Sequence, residues 1–558
     1  MTKDVRDRQW LCEVSPFIAR VLEQQPDAIV WQHDRVHAPA FEDYRDEVYE
    51  ALANCHNETD AQRTLRLLRQ RWYAQLAGAD LTGSLCLAEM LAHLTETADA
   101  LIEAAIAWLY PRFTERFGTP RDAQGEPQPL LVIGMGKLGG GELNFSSDID
   151  LIFAYPEQGE TDHPRKPIEI SVFFTKLVQA LIHLLDTVTA DGRVFRVDLR
   201  LRPFGQSGPL VASLSALEHY YQEQGRDWER YAMVKARLIG APERYRKELM
   251  QLLRPFVYRR YIDFSAIDAL RKMKSLITQE TRRHGVRNNI KLGPGGIREV
   301  EFIVQSFQLI RGGQQRQLQS VSLYQAYQAL IELELMPAEH VEELVVGYNW
   351  LRTVEHVLQQ RNDEQTQTLP NDPSEQLQVA RMLGCTWSEL VKQTERHMQL
   401  IHQHFQAVIG DPDAEDEEAG DLQILWQDMI DDETALDVLA DRGLAAESVR
   451  HIWSSVSELR QESRRRGSGP RGRKALARLV PILLEQLIRD VDAVTSTERV
   501  FAVLKQIMSR TAYVELLLEN IGAREQLIKL CRASSWITKQ LAQYPILLDE
   551  LIDPSHLY

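Results

Sequence analysis

Two aspartates, Asp148 and Asp150, stand two positions apart in the segment DIDLIFAY at residues 148–155. The alternating, apolar pattern predicts a strand, on which side chains at i and i+2 point to one face. The two residues would lie about 7 Å apart along the backbone, so their carboxylate oxygens could converge on shared cations. Mg²⁺ is usually held by such hard oxygen ligands, with positions left open for water and substrate phosphates. The pair therefore indicates Mg²⁺-dependent chemistry on a phosphate group.

A glycine-rich passage, GMGKLGGGELNFSS at residues 134–147, comes directly before these aspartates. Glycine removes side-chain bulk where a backbone must approach a ligand closely, and its amides, with nearby hydroxyls and a lysine, can surround a phosphate. A glycine turn or an Asp-x-Asp pair alone is a weak signal. The order of a strand, a glycine turn, two serines and an Asp-x-Asp pair within an apolar strand is far more specific, because Asp148 interrupts a segment that otherwise favours burial. The residues predicted here to bind the nucleotide or phosphate are Gly136, Lys137, Gly139, Gly140, Ser146 and Ser147.

A third aspartate, Asp198, lies in the segment RVFRVDL at residues 193–199, which predicts another strand. If that strand neighbours Asp150, three acids could hold two metal ions for an in-line phosphoryl or nucleotidyl displacement. Arg200 and Arg202 follow at alternate positions and would share the face of Asp198 if the strand continues. Arginine matches phosphate oxygens bidentately, which favours a binding role, although a surface salt bridge explains any one of them equally well.

Other basic residues extend this predicted phosphate site. Arg230 and Arg237 are seven positions apart on a predicted helix and therefore on one face, with Lys235 nearby. A glycine-containing turn after Lys291 opens a further predicted helix, whose amide end would attract an anion, with Arg298 alongside. Salt bridges on the surface are again the alternative for Arg230 and Arg237.

Helical periodicity dominates the rest of the chain and predicts an α+β, predominantly α-helical fold. The predicted elements nearest the aspartates are a buried strand at residues 130–133, a helix at 168–186 and a helix that begins at about Ser213. The polar run at 362–368 is either a substrate-facing loop or a connection between helices, and the basic tract at 464–474 is predicted to be an exposed loop.

Changes in composition and hydrophobic periodicity along the chain predict five regions. In order they are an amino-terminal helical region at 1–128, a catalytic core at 129–225, a helical domain that completes the active site at 226–410, an acidic linker at 411–421 and a central, regulatory helical domain at 422–558. The linker is predicted from its acidic residues, which do not bury and remain solvated.

Composition excludes several classes of protein. The 558 residues are 44% hydrophobic and 26% charged, which is typical of globular proteins and argues against disorder. A formal net charge of −16 repels nucleic acid over most of the surface. No stretch approaches the roughly 18 apolar residues of a membrane span, and residues 1–20 lack a secretory signal pattern, so a cytoplasmic protein without membrane partners is expected.

The segment GKLGGGELNFSSDIDLIF resembles the nucleotidyltransferase signature of the polymerase-beta-like superfamily. It is more closely similar to the bifunctional glutamine synthetase adenylyltransferase/adenylyl-removing enzymes. Further segments similar to that family are VDLRLRPFG at 197–205, DWERYAMVKAR at 227–237, KLGPGGIREVEF at 291–302 and NDEQTQTLP at 362–370. The resemblance implies a polymerase-beta-like α/β core inserted among helices and followed by helical bundles.

The resemblance also implies an activity. In the family's order, an amino-terminal half removes AMP from a glutamine synthetase tyrosine by phosphorolysis, releasing ADP, and a carboxyl-terminal half attaches AMP from ATP. Because this chain has one glycine-rich Asp-x-Asp segment, we expect the removing half and the central helical region, without the attaching half. The implied metal ligands and catalytic residues are Asp148, Asp150 and Asp198, with two Mg²⁺ ions for which Mn²⁺ substitutes. The implied partners are glutamine synthetase and a PII signal protein, whose uridylylated form activates removal and so regulates nitrogen assimilation.

Two other functions are compatible with the same residues. A nucleotidyltransferase acting on RNA or on a small alcohol would use the same metal site, but the net charge disfavours RNA. A non-catalytic scaffold that binds regulators would show no dependence of nucleotide binding on Mg²⁺ or Mn²⁺.

Overall fold

The computed structural model describes most of the chain. The described residues are 6–32, 35–258, 289–409, 422–426, 432–440, 442–465, 470–490, 492–508, 510–519, 521–544 and 547–548. They fall into two compact units, residues 1–409 and 410–558, each with its own hydrophobic core. The predicted acidic linker at 411–421 lies outside the described residues.

The first unit begins with five helices and a two-stranded ribbon. Their bounds are α1 Arg8–Val14, α2 Pro16–Gln24, β1 Trp31–Gln32, β2 Arg35–Val36, α3 Phe41–Ala53, α4 Glu58–Leu81 and α5 Leu87–Phe117. The helix α4 starts where the side chain of Asn57 accepts a hydrogen bond from the amide of Asp60, a common N-cap arrangement. The apolar positions of α5, from Leu91 to Leu109, are buried as their helical spacing predicts.

The first unit also contains a small mixed sheet. Its strands are β3 Leu131–Gly134, β4 Ile149–Tyr155, β5 Val197–Asp198, β6 Val211–Ser213 and β7 Arg237–Ile239. The order across the sheet is β5-β4-β3-β7, and β6 also pairs with β4. Strand β3 is antiparallel to β4 and β7, whereas β4 is parallel to β5 and β6. The glycine-rich passage therefore connects two neighbouring, antiparallel strands.

Five helices accompany the sheet. They are α6 Gly136–Gly139, α7 Ile170–Asp186, α8 Leu214–Glu223, α9 Asp227–Met233 and α10 Glu243–Val257. The predicted helix at 168–186 is confirmed, and the hydroxyl of Ser213 caps α8 as predicted, accepting a hydrogen bond from the amide of Ala216. The apolar face of α7, which includes Phe173, Phe174 and Leu177, is buried in the core.

Two predictions about this region were wrong. The helix predicted across 227–237 ends at Met233, and Arg237 begins β7, because Arg237–Ile239 pairs with β3. Arg230 and Arg237 therefore do not share a helical face. The strand predicted at 193–199 is only Val197–Asp198, so Arg200 and Arg202 lie in the turn that follows it rather than on a continued strand.

The remaining helices in the described part of the first unit are α11 Ile297–Arg311, α12 Leu323–Glu332, α13 Ala338–Gln360, α14 Pro373–Leu383 and α15 Trp387–Ile409. Helix α13 is buried along much of its length and packs against α11 and α15. These helices share one continuous core with the amino-terminal helices and the sheet. The fold of this unit is thus α+β with a large helical majority.

The second unit is helical in its described residues. Its helices are α16 Asp432–Ala440, α17 Ala446–Arg465, α18 Pro470–Ile488, α19 Ala493–Ile507, α20 Thr511–Glu519, α21 Ile521–Ala533 and α22 Ser535–Gln543. The loop predicted at 464–474 is wrong at both ends, because α17 runs to Arg465 and α18 begins at Pro470. No helix in the described part of the chain is long and apolar enough to cross a membrane.

Candidate active site

The predicted acids meet at one edge of the sheet. Asp150 on β4 and Asp198 on β5 are directly paired across the two parallel strands. Asp148 comes just before β4, where the amide of Ile149 donates to the carbonyl of Arg196. The strand that carries Asp198 is short, but it neighbours Asp150 as the sequence analysis required.

The three carboxylates influence one another electrostatically. Burial, together with the negative charges of Asp198 and Asp148, raises the pKa of Asp150 to about 6, and Arg200 and Lys291 oppose this shift. Clustered like charges of this kind favour protonation or the binding of a cation. Three partly buried carboxylates are the type of oxygen ligand that a hard divalent cation prefers.

Two arginines currently engage the other two acids. The guanidinium of Arg196 donates to Asp148 Oδ1 and, through Nη2, to the carbonyl of Ser146 at 2.9 Å. Arg200 donates to Asp198 from its backbone amide and from Nε, both at 2.8 Å. Burial raises the pKa of Asp198, but the hydrogen bonds from Arg200 outweigh it and leave that pKa below its ordinary value. In this arrangement no group of three or more His, Cys, Asp or Glu among the described residues is placed to hold a metal ion.

A cavity of about 350 Å³ opens beside these residues. Its charged lining residues are Asp148, Arg196, Asp198, Arg200 and Arg202, so acids and guanidinium groups face the same space. Such a lining suits a phosphate ester that arrives with a divalent cation, because the acids bind the cation and the arginines bind the phosphate oxygens. Arg196 was missed by the sequence analysis, although it lies two positions before Asp198.

The glycine turn has a close relationship with the acids. Gly136 has a φ of +55°, and a Cβ atom there would stand 2.8 Å from Asp150 Oδ2. Gly139 packs against backbone instead, since a Cβ atom would lie 1.9 Å from the carbonyl oxygen of Lys235. A Cβ at Gly140 would be 3.0 Å from Lys235 Nζ. Close packing within the protein accounts for Gly139 and Gly140, and only Gly136 borders the acids.

Several predicted phosphate ligands are engaged elsewhere in this structure. Lys137 pairs with Glu301, Lys235 with Glu142 at 3.3 Å, and Lys291 with Glu355 at 3.9 Å. The guanidinium of Arg237 donates to both carboxylate oxygens of Asp99. The guanidinium of Arg230 donates to the backbone carbonyls of Val257 and Leu309.

Two further predicted phosphate ligands, Arg298 and Ser147, differ from these cations. Arg298 is exposed in the first turn of α11, and the hydroxyl of Ser147 donates to the backbone of Asp148. Phosphate binding by these residues stays a prediction.

Ser146 is held by the far end of α13. Its amide donates to Gln359 Oε1 at 2.9 Å, and its hydroxyl donates to Asp363, which also accepts two hydrogen bonds from Arg69. The polar run at 362–368 thus supplies an internal anchor through Asp363. No local pattern indicates that Gln359 or Arg69 contacts the segment before Asp148, because these residues are far apart in the chain.

Comparison with known proteins gives a consistent result. Residues 7–251 match the glutamate-ammonia ligase adenylyltransferase family. Over 98% of its length the chain is 56% identical to a bifunctional glutamine synthetase adenylyltransferase/adenylyl-removing enzyme of Idiomarina loihiensis. The chain is thus similar to this family over residues 7–251. An enzyme of the same name from Shewanella oneidensis is 50% identical over 91% of the chain.

The family matches differ along the chain. Residues 7–251 include Asp148, Asp150, Asp198 and the whole lining of the cavity beside them. Residues 271–409 match a second family, described as GlnD PII-uridylyltransferase. The chain spans 58% and 53% of the two relatives, so it corresponds to somewhat more than half of each.

Proposed function

We propose that this chain removes AMP from adenylylated glutamine synthetase in a reaction that requires divalent cations. Inorganic phosphate attacks the phosphorus of the AMP-tyrosine phosphodiester, the bond from phosphorus to the tyrosine oxygen breaks, and ADP is released with the restored tyrosine hydroxyl. The relatives are named for both adenylylation and its removal. The proposal for this chain includes the removing reaction only, on a polymerase-beta-like core.

The observation that carries the proposal is the placement of Asp150 opposite Asp198, with Asp148 beside them at a cavity that three arginines line. Asp148, Asp150 and Asp198 would hold the cation. Mg²⁺ bound there would withdraw negative charge from the phosphate oxygens, and Mn²⁺ would substitute. A second ion would share the same three carboxylates.

The reaction must also bring two anions together, and arginine side chains of this chain can bind both. Arg200 and Arg202 line the cavity and would attract phosphate by charge and by bidentate hydrogen bonds. Arg196 keeps the carboxylate of Asp148 in place from the side of Ser146. Holding both anions at one position lowers the barrier by orientation as well as by charge.

Removal of the acids tests the proposal directly. Asp148→Asn and Asp150→Asn should abolish the release of ADP from adenylylated glutamine synthetase in phosphate buffer with Mg²⁺. The matched control is Asp162→Asn, since Asp162 is a partly exposed acid paired with Arg121 on the surface. Full activity of both site variants would refute the proposal, as would equal loss in the control. ADP release should also require phosphate and should stop when a chelator is present.

We propose in addition that the helical region after the core responds to a PII protein. The support is the match of residues 271–409 to a family whose name includes PII-uridylyltransferase. Addition of the uridylylated form of PII should raise the rate of ADP release, and the unmodified form should not. An equal effect of both forms would contradict this part of the proposal.

A further inference from the structure

One face of helix α13 lies against the glycine-rich passage. Tyr348, Arg352, Glu355 and Gln359 are spaced by four, three and four positions, so they share a face of the helix. All four are buried, and three of them hydrogen-bond to the segment 137–146. This passage links β3 to the acids of β4, so α13 contacts the connection that precedes the site.

The hydroxyl of Tyr348 joins both ends of the glycine turn. It accepts hydrogen bonds from Arg352 Nη1 at 2.6 Å and from Lys137 Nζ at 3.4 Å. It donates to Glu142 Oε2 at 3.5 Å. Lys137 and Glu142 are also joined directly, because the amide of Glu142 donates to the carbonyl of Lys137 at 2.9 Å.

Each residue that Tyr348 contacts is fixed by a second partner. Glu142 accepts from the amide of Leu323 at 2.8 Å, and its backbone carbonyl accepts from Arg352 Nη2 at 2.8 Å. Lys137 pairs with Glu301 on α11. Because the hydroxyl is fully buried, water does not replace it readily, and its loss would leave charged neighbours short of a hydrogen bond.

The turn transmits its position to the acids through Gly136 and Met135. Asp150 Oδ2 lies where the Cβ of any residue other than glycine at position 136 would press on it. The amide of Met135 donates to the carbonyl of Asp150 at 2.9 Å. A displacement of Lys137 would therefore move the backbone that borders Asp150.

We propose that Tyr348 is a positioning residue for the AMP-removing reaction and that Lys137 anchors the glycine turn to it. The hydroxyl holds the turn in the position that places Asp150 opposite Asp198. This inference rests on the proposed function, but it assigns a role to residues of α13 that touch neither the cavity nor the acids.

Tyr348→Phe removes the hydroxyl and little else. We expect kcat for ADP release to fall about tenfold or more, with the KM for phosphate and for adenylylated glutamine synthetase nearly unchanged, since small displacements of catalytic groups have large effects on rate. The matched control is Tyr327→Phe. Tyr327 lies on α12, is only 1% exposed, and donates its hydroxyl to the carbonyl of Val300 at 2.8 Å rather than to the glycine turn.

The two variants separate positioning from stability. The control should lose thermal stability to a similar extent while keeping its kcat. Equal kcat in Tyr348→Phe and wild type, or an equal fall in both variants, would overturn the inference. If Tyr348→Phe does not fold, Glu142→Gln tests the same hydrogen bonds, and an unchanged kcat there overturns it too. Absence of ADP release from the wild type would instead reject the proposed function.

Discussion

Asp150 and Asp198 face each other directly across two parallel strands, β4 and β5, although they are separated by the whole of helix α7 in the chain. Burial and the neighbouring charges raise the pKa of Asp150 to about 6. The fold therefore maintains a group of acids that repel one another at neutral pH. A divalent cation would relieve that repulsion, which is the physical basis of the predictions about metal binding.

We expect Asp150→Asn to lose the stabilisation that divalent cations give the wild type. A ligand that binds only the folded state stabilises it by about 2.7 kcal/mol at a concentration a hundred times Kd. Melting temperatures of wild type and variant, with and without Mn²⁺, measure this effect. Asp162→Asn should respond to Mn²⁺ as the wild type does, and an undiminished response of Asp150→Asn would exclude Asp150 as a ligand.

Substitution of Gly136 should affect the site beyond its cost in stability. Gly136→Ala places a Cβ atom at a φ of +55° and against Asp150 Oδ2. Gly83→Ala is the control, because Gly83 has a φ of +77° with no atom within 4 Å of the added Cβ. Both should lose about 1–2 kcal/mol of unfolding free energy from backbone strain, as measured by denaturant titration. Only Gly136→Ala should lose ADP release, and equal activity of the two variants would disagree with the geometry.

The sequence predicted the elements that local patterns determine. The apolar run before Gly134, the alternation from Ile149 to Tyr155 and the cap at Ser213 each identify an element without reference to its neighbours. The pairing of Asp150 with Asp198 followed only if the two strands were adjacent, and the structure places them so.

Local sequence patterns could not predict the contacts between segments that are distant in the chain. Arg237 follows a helical stretch, yet pairing with β3 makes it the first residue of a strand, where tertiary contacts override local propensity. Tyr348 belongs to an ordinary buried helical face, and its spacing gives no sign that it meets Lys137. For the same reason the sequence could not distinguish arginines that line the cavity, such as Arg200, from those that pair in the core.

Arg200→Ala should strengthen the binding of the cation and weaken the binding of phosphate. Arg200 is 73% exposed and competes for Asp198, so its removal should raise the affinity for Mn²⁺ about two- to fivefold, as expected for an exposed ion pair. The KM for phosphate should rise because the cavity loses a guanidinium group. Arg193→Ala is the control, since Arg193 pairs with Asp186 on the surface. Titration calorimetry with Mn²⁺ and steady-state kinetics check both effects, and an unchanged Mn²⁺ affinity would contradict the competition.

Loss of the positive charge of Lys137 at alkaline pH should lower kcat. Burial and the positive charge of Arg352 together lower the pKa of Lys137 from 10.5 to about 8, although Glu301, Glu355 and Glu142 oppose this shift. The ammonium group that holds the turn is therefore present below about pH 8 and is lost as the pH rises through that value. Kinetics from about pH 6 to about pH 10 should show kcat falling through this range.

Unfolding would not explain that fall. Because the folded state releases the proton of Lys137 first, the unfolded state binds more protons between about pH 8 and about pH 10.5, and this residue's contribution to stability rises with pH there. Glu301→Gln removes an opposing carboxylate, so the midpoint of the fall should move to lower pH. Melting temperatures at each pH separate the two effects. A midpoint that does not move in Glu301→Gln would show that a group other than Lys137 titrates in the alkaline fall of kcat.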